Sequence, residues 1–194
     1  MRTNRLNAVV MAAVTAVCLL GAGRTWAQEQ DVETREDRMV RLRQERLSGP
    51  RLGLVYVVHG SEWDKKLDEH GIDNFISQFG WHFEWLVRPQ GGGPAFVTEF
   101  MPFLGGVEYG TVIPTLSLVF GIRFPKGFEL GMGPQAVITF DRHEPVNTSL
   151  VVGVGQYLDF SGVKIPLNLA VSTNGDGQRV AFVFGYAIRS RKNA

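Results

Sequence analysis

Two long runs of alternating apolar and polar residues, separated only by Pro125, Lys126 and Gly127, constrain this chain more than any other feature of its sequence. The runs cover residues 115–124 and 128–141, and in both of them an aromatic or aliphatic residue occupies nearly every second position. An alternation of period two is typical of a β-strand whose two faces meet different surroundings. Two such runs around a tight turn therefore predict an antiparallel hairpin.

Similar alternation between turn signals predicts six further strands. They cover residues 52–58, 75–88, 95–103, 150–159, 163–172 and 179–189. A short helix capped by Ser61 is predicted in the connection before residue 75. The chain has 23 glycines and 13 phenylalanines, a composition that suits strands and tight turns better than helices. We therefore expect an all-β fold over residues 50–194, an antiparallel up-and-down β-barrel of about eight strands.

Residues 1–27 have the pattern of a secretory signal peptide. Arg2 and Arg5 precede an apolar stretch at residues 8–20, and Thr25 and Ala27 place small residues where a signal peptidase recognises the chain. We expect cleavage after Ala27. The single cysteine, Cys18, lies in the apolar stretch, so the mature chain would have no cysteine and no disulfide.

Residues 28–49 differ in composition from everything after them. They are dense in glutamate, aspartate and arginine, with few apolar residues between. This composition predicts a charged tether or a frayed helix that ends at Gly49 and Pro50. A helix that docks on a partner or closes one end of the barrel is the alternative.

The polar faces of the predicted strands distinguish a soluble barrel from a membrane barrel. In a soluble barrel the apolar face fills the core, whereas in a membrane barrel it meets lipid and the polar face lines the interior. Small residues such as Gly121, Gly131 and Ala181 crowd the polar faces, which suits a narrow interior. The few charges on these faces have mixed sign, and we expect them to form a closed interior network, because an unpaired buried charge is costly. The predicted members are His82, Glu84, Arg88, Glu99, Arg123, Glu129, Asp141, Lys164, Arg179 and Arg189.

The opposite faces are apolar and rich in aromatic residues, and we expect them to face lipid. The predicted lipid-facing aromatic residues are Phe79, Trp81, Phe83, Trp85, Phe120, Phe124, Phe128, Phe140, Phe182, Phe184 and Tyr186. Connection lengths agree with this arrangement when the first strand starts on the periplasmic side. The periplasmic turns are then short, and the connections at residues 59–74, 104–112, 142–149 and 173–178 face outward. The predicted location is the bacterial outer membrane, with the periplasm as the alternative.

With these features the chain resembles the small eight-stranded outer-membrane barrels, in the general manner of the OmpA and OmpX barrels. The resemblance covers about residues 50–190 and lies in the strand pattern, the connection lengths and the signal peptide. Residues 79–85 and 127–134 are also similar to segments of bacterial envelope proteins without an assigned activity. The resemblance implies a fold and a location, and it brings no catalytic residues.

No group of residues in the sequence has the spacing of a catalytic or metal site, so we expect neither an enzyme nor a cofactor. His82 and Glu84 share a strand face, and Glu99 or Glu129 nearby would suit acid–base chemistry or a metal, but we interpret them as part of the interior network. The net charge of +1 argues against nucleic acid as a partner. The expected partners are membrane lipid and a protein or surface partner at residues 59–74 and 104–112.

A structural or surface-interaction role follows from these expectations, and two alternatives stay open. One is a soluble periplasmic barrel, similar to a lipocalin, that binds an apolar ligand. The other is an envelope enzyme that modifies lipid with His82. The direction of Phe120 and Phe182 relative to the barrel axis separates a membrane barrel from a soluble one.

Overall fold

The computed structural model describes residues 42–138, 145–161 and 163–189. The elements in chain order are β1 (Leu42–Val57), α1 (Glu62–Glu69), β2 (Phe75–Pro89), β3 (Ala95–Gly105), a 3-10 turn (Val107–Tyr109), β4 (Ile113–Arg123), β5 (Phe128–Ile138), β6 (Val146–Phe160), β7 (Val163–Asn174), β8 (Gly177–Gly185) and β9 (Ile188–Arg189). No helix in the described part of the chain is long and apolar enough to cross a membrane. The predicted signal peptide lies outside the described residues and stays a prediction.

The strands form one closed antiparallel barrel. Chain neighbours pair from β2 to β8, and β1 closes the sheet by pairing with β2 on one side and β8 on the other. β9 keeps the register that β8 has against β1, so the two form one strand with a break at Tyr186 and Ala187. The barrel therefore has eight strands, and the predicted all-β up-and-down fold is confirmed.

Proline accounts for the break between β8 and β9. The register aligns Pro50 of β1 with Tyr186, and proline has no N–H to donate to the ladder. Arg51 Nη1 instead donates to the carbonyl oxygens of Tyr186 at 2.7 Å and Pro50 at 3.2 Å. The gaps in the β2–β3 and β4–β5 ladders likewise include Pro102 and Pro134. A buried side chain thus replaces a missing ladder hydrogen bond at Pro50.

β1 begins earlier than the sequence predicts. Residues 42–49 pair with residues 82–89 of β2, so the predicted end of the charged tether at Gly49 and the predicted strand start at residue 52 are wrong. The polar residues Arg43, Glu45 and Arg46 fit a strand here because their side chains keep at least partial access to solvent near the end of the barrel. Backbone pairing with β2 does not depend on the polarity of those side chains.

The two ends of the barrel differ in their connections. At one end, called the turn end, β1 begins and residues 90–94, 124–127 and 161–162 connect the strands. At the other end, called the loop end, the connections are residues 58–74, 106–112, 139–145 and 175–176. Three of these four are longer than any connection at the turn end. This asymmetry is typical of outer-membrane barrels, in which the short turns lie on the periplasmic side.

The outer face of the wall is apolar. Nine of the aromatic residues predicted to face lipid are exposed on it, and we call them the aromatic belt: Phe79, Trp81, Phe83, Trp85, Phe120, Phe124, Phe182, Phe184 and Tyr186. Phe128 is half-buried, and Phe140 lies outside the described residues. Phe120 and Phe182 are 44% and 43% exposed, so both point away from the barrel interior.

Candidate functional site

Arg123 lies at the centre of a buried ionic cluster near the turn end. It is the last residue of β4, and the tight turn to β5 places it opposite Glu129. Its Nε donates to Oε2 of Glu129 at 2.6 Å, while Nη1 and Nη2 donate to the two carboxylate oxygens of Glu84 at 2.6 and 2.8 Å. None of the three side chains is more than 7% exposed. The two parallel bonds to Glu84 are the strongest pairing that a guanidinium and a carboxylate make.

His82 joins a second arginine to the same cluster. Arg51 Nη2 lies 2.7 Å from His82 Nδ1, and His82 Nε2 lies 2.8 Å from Oε1 of Glu99. A guanidinium can only donate, so Nδ1 accepts, and the ring proton lies on Nε2 and is donated to Glu99. His82 and Arg51 are 0% and 1% exposed. The ring is therefore neutral and held in one tautomer and one orientation.

Tyr157 of β6 completes the cluster from the opposite side of the barrel. Its hydroxyl lies 2.8 Å from Oε2 of Glu84 and 3.2 Å from Oε1 of Glu99. The guanidinium of Arg123 packs 3.6 Å from the centre of the Tyr157 ring, at the distance of a cation–π contact. The ionic cluster thus consists of Arg51, His82, Glu84, Glu99, Arg123, Glu129 and Tyr157, and it crosses the interior from wall to wall.

The donor set of this cluster does not fit a metal ion. His82, Glu84 and Glu99 do place one ligand atom each within 4.8 Å of one another. However, both ring nitrogens of His82 already have partners, and the guanidinium groups of Arg51 and Arg123 would repel a cation there. His82 is also fully buried. In this arrangement each buried charge faces an opposite charge or a hydrogen-bond partner.

Arg179 belongs to a separate polar group nearer the loop end. Its Nη2 donates to the Ser149 hydroxyl at 2.9 Å and to Oε1 of Gln135 at 3.1 Å. The guanidinium also lies 4.8 Å from the centre of the Trp63 ring, which α1 brings over the barrel mouth. Arg179 therefore connects the polar interior to the residues that close the loop end.

Helix α1 and the side chains beneath it form an apolar cap at the loop end. The cap consists of Val57, Trp63, Leu67, Ile72, Ile76, Ile113 and Val137, all buried. Ser61 begins the helix as predicted, because its hydroxyl accepts the N–H of Asp64 at 3.1 Å. A hydrogen bond from the Asn74 side chain, and a second from the N–H of Gly60, lower the pKa of Asp64. These polar contacts hold the connection in place over the barrel mouth.

A cavity of about 70 Å³ lies between the ionic cluster and the cap. It is lined mainly by small and polar side chains such as Ser117, Gly131 and Ser172. A volume of that size holds a few water molecules. The interior is consequently closed at two levels, by charged residues towards the turn end and by apolar residues at the loop end.

The structure brings together half of the residues that the sequence predicts for the interior network. His82, Glu84, Glu99, Arg123 and Glu129 lie in the ionic cluster, Arg179 lies in the polar group above it, and Arg88 and Lys164 line an opening at the turn end. Asp141 lies outside the described residues, as does the side chain of Arg189.

Two members of the ionic cluster are absent from the predicted interior network. Arg51 lies one residue before the predicted start of β1, although it continues the inward face that Gly53 occupies. Tyr157 occupies an inward position of β6, within the predicted strand 150–159. Extending the alternation by one residue would have found Arg51, but no signal in the sequence pairs Tyr157 with Glu84.

The distribution of polarity is the reverse of that in a soluble protein. Charged and hydrogen-bonding side chains fill much of the interior, while aromatic and aliphatic side chains cover the outside. Such an outer surface promotes aggregation in water but matches the hydrocarbon of a bilayer. The chain is a transmembrane β-barrel. Of the two locations that the sequence predicts, the outer membrane fits this surface, and the soluble periplasmic alternative does not fit because the aromatic face does not fill a core.

Some solved structures of other proteins are similar to this chain, all at low sequence identity. No protein-family model matches the chain, and no curated protein matches its sequence. The crystal structure of the attachment invasion locus protein Ail of Yersinia pestis is similar, with a TM-score of 0.47 and 14% identity over 76% of this chain and 97% of that one. Ail in a phospholipid nanodisc has a TM-score of 0.45 and 15% identity, covering 74% and 99% of the two chains.

A designed protein, TMB2.3, is also similar, with a TM-score of 0.39 and 9% identity over 77% of this chain and 97% of that one. The closed eight-stranded barrel that the predicted resemblance implies is confirmed by the strand pairing of this chain. At these low identities and TM-scores no residue role or activity is carried over.

Proposed function

We propose that the barrel is a non-conducting anchor that holds a fixed surface at its loop end for interaction with a partner outside the membrane. The closed interior carries this proposal. The ionic cluster connects side chains from six strands across the barrel, and the cap buries Trp63 and Leu67 at 5% and 1% exposure over the mouth. A general pore requires a continuous wide aqueous path, which a narrow eight-stranded barrel filled by side chains does not have.

The loop-end surface is held by contacts between the 3-10 turn and the first residues of β2. The Glu108 carboxylate, in the 3-10 turn, accepts the N–H of Ser77 at 2.5 Å and its hydroxyl at 2.6 Å. The Tyr109 hydroxyl donates to the carbonyl of Phe75 at 2.7 Å. These bonds hold the 104–112 region against the start of β2. Tyr109 also packs against the cap, to which the 59–74 region contributes Trp63, Leu67 and Ile72. A preformed surface loses less conformational entropy on binding than separate mobile loops.

The charge of this surface indicates the chemistry of its partner. Its exposed carboxylates are Glu62, Asp68, Glu69, Asp73 and Glu108, against the cations Lys65 and Lys66. Lys65 is already paired with Glu62 at 2.6 Å. Excess negative charge attracts a basic protein segment and repels an acidic one. We therefore propose a cationic partner at the loop end.

Electrical recording tests the closed interior. The purified protein, inserted into a planar lipid bilayer, is expected to give no steady channel current, since no continuous aqueous path crosses it. The matched variant is Trp63→Ala, which opens the cap but leaves the ionic cluster intact, and it too is expected to stay non-conducting. A wild-type protein that conducts small ions in stable steps contradicts the proposal.

A charge-reversal experiment tests the loop-end surface. The protein in nanodiscs of zwitterionic lipid is titrated with an oligo-lysine peptide and, separately, with an oligo-glutamate peptide. We expect binding of the first alone and its loss in Asp68→Lys/Glu69→Lys/Asp73→Lys. The control is Glu45→Lys at the turn end, which should bind as the wild type does. Equal binding by the triple variant and the wild type contradicts a cationic partner.

A further inference from the structure

A wide opening at the turn end is lined by more cationic side chains than carboxylates. This excess positive charge is not needed to close the interior. The opening has a volume of about 440 Å³ and lies beside the turn from β4 to β5 and the ends of β6 and β7. Four cationic residues line it: Arg88, Arg123, Lys126 and Lys164. Asp159 is the one carboxylate among its lining residues in the described part of the chain. We call this opening the turn-end mouth.

The four cations differ in how far their charge is already neutralised. Arg123 is saturated by Glu84 and Glu129, and Lys164 Nζ lies 3.5 Å from Oδ2 of Asp159. Within the described residues, Arg88 and Lys126 have no carboxylate at ion-pair distance. Uncompensated positive charge in a concave opening raises the local concentration of anions. The mouth therefore favours an anionic ligand.

The backbone beside Lys126 is held in a fixed conformation. Gln156 Nε2 donates to the carbonyl oxygen of Lys126 at 2.8 Å, and the N–H of Tyr157 donates to the carbonyl oxygen of Gly127 at 2.9 Å. Gly127 has φ of 86° and its N–H donates to the carbonyl of Phe124, which closes the turn. The base of the Lys126 side chain is thus positioned before any ligand arrives, which lowers the entropy cost of binding.

Apolar side chains at the rim identify the kind of anion. Phe124 and Leu158 line the mouth and are 39% and 46% exposed on the outside of the barrel. Phe160, close by on β6, is 72% exposed. The cations thus lie where the apolar outer surface ends, at the height of lipid headgroups. Lysine and arginine at such a border extend their charged ends towards headgroup phosphates.

We propose that the turn-end mouth binds a phosphate group, with Arg88, Lys126 and Lys164 as the cations that hold it. A phospholipid headgroup of the adjacent leaflet and a free phosphate share this chemistry. The apolar rim gives the lipid the additional contacts of its acyl chains. This site lies at the opposite end from the proposed interaction surface, so the two proposals succeed or fail independently.

A titration of the purified protein in uncharged detergent tests the site. Phosphatidylglycerol, inorganic phosphate and uncharged diacylglycerol are added in separate experiments, and the bound species are counted by native mass spectrometry. We expect saturable binding of phosphatidylglycerol that weakens as salt concentration rises. In Arg88→Gln/Lys126→Gln/Lys164→Gln the affinity should fall by about tenfold or more, since each cation near a headgroup contributes to binding. The matched control is Lys65→Gln/Lys66→Gln at the loop end, which should bind as the wild type does.

The other outcomes also decide the proposal. If inorganic phosphate binds and displaces the lipid, the result supports the phosphate site and identifies free phosphate as a ligand. Equal affinity for diacylglycerol and phosphatidylglycerol overturns it, as does an unchanged affinity in the turn-end variant. If the triple variant does not fold, as judged by its heat-modifiable migration in gels, Lys126→Gln alone replaces it. That exposed residue can be changed without disturbing the interior, and an affinity equal to that of the wild type then overturns the proposal.

Discussion

The two halves of the barrel interior are closed by different chemistry. Towards the turn end, charged and hydrogen-bonded side chains from the wall itself meet around Arg123. Towards the loop end, a single connection folds back and buries apolar side chains of α1 against the wall. The ionic cluster consists of strand residues, whereas the cap is brought over the strands by a connection that contains α1. We therefore expect the ionic cluster to control the stability of the whole barrel, and the cap to control access at one mouth.

Breaking the ionic cluster is expected to have the largest effect. Glu84→Ala leaves the guanidinium of Arg123 and the hydroxyl of Tyr157 without their main partner in a buried site. Removal of one member of a buried ion pair costs about 3–5 kcal/mol of unfolding free energy. The measurement is urea unfolding of the protein in lipid vesicles, followed by tryptophan emission. Glu62→Ala, in an exposed pair, is the control and should change little. A Glu84→Ala variant as stable as that control would contradict the comparison.

Removal of the tryptophan in the cap should act locally. Trp63→Ala takes away a buried ring that contacts Arg179 and donates to Asn147 at 3.3 Å. Large-to-small changes of this kind cost about 3 kcal/mol or more. Because the cap belongs to one connection, we expect residues 58–74 to become sensitive to protease while the barrel keeps its heat-modifiable migration. Loss of the folded barrel together with the cap would show that the two halves are not separable in this way.

Substitution of two glycines in the wall tests how closely neighbouring strands approach each other. A Cβ atom at Gly133 would lie 1.9 Å from the carbonyl oxygen of Leu118, which is a severe clash with backbone. At Gly153 the nearest atom would be 3.6 Å away, an ordinary contact. Gly133→Ala is therefore expected to cost about 1–3 kcal/mol, as overpacking does elsewhere. Gly153→Ala, measured in the same urea titration, should be close to the wild type. Equal effects of the two substitutions would mean that the strands do not approach as described.

The smallest expected effect is a response of the cap to acid. Hydrogen bonds from Asn74 and Gly60 lower the pKa of Asp64, so the folded cap binds its proton less readily than the unfolded segment does. The stabilisation is present above the pKa of the unfolded segment and is lost as pH falls through the lowered pKa of the folded cap. Protease sensitivity of residues 58–74 should therefore rise in strong acid, and Asp64→Asn should weaken that dependence. A cap that opens at neutral pH instead would exclude Asp64 as the cause.

The sequence predicts the wall of the barrel better than its contents. Alternation is a local property, since each residue along a strand points to the opposite face from its neighbour, and β2, β5 and β7 follow it closely. β1 is the exception, because the charges of residues 42–49 resemble those of a solvated tether. Their pairing with β2 depends on backbone groups that the side-chain pattern does not reveal.

The contents of the interior depend on register and curvature, which are properties of the whole barrel. The pairing of Arg123 with Glu129 follows from the short turn between β4 and β5, so it is within reach of sequence analysis. The contact of Arg123 with Glu84 and Tyr157 crosses the barrel and joins strands that are not neighbours. It follows only once closure has placed β2, β4 and β6 around one axis.

Quenching by brominated lipid tests the central claim that the aromatic face meets lipid while charge lies inside. In a Trp63→Phe variant, the emission of the described residues comes from Trp81 and Trp85, which are 45% and 43% exposed on the outer face. We predict strong quenching of that emission when the vesicles contain brominated acyl chains. With Trp81→Phe/Trp85→Phe, the buried Trp63 should be quenched much less. Emission from Trp81 and Trp85 that is unchanged by bromine in the acyl chains would contradict a membrane-spanning barrel.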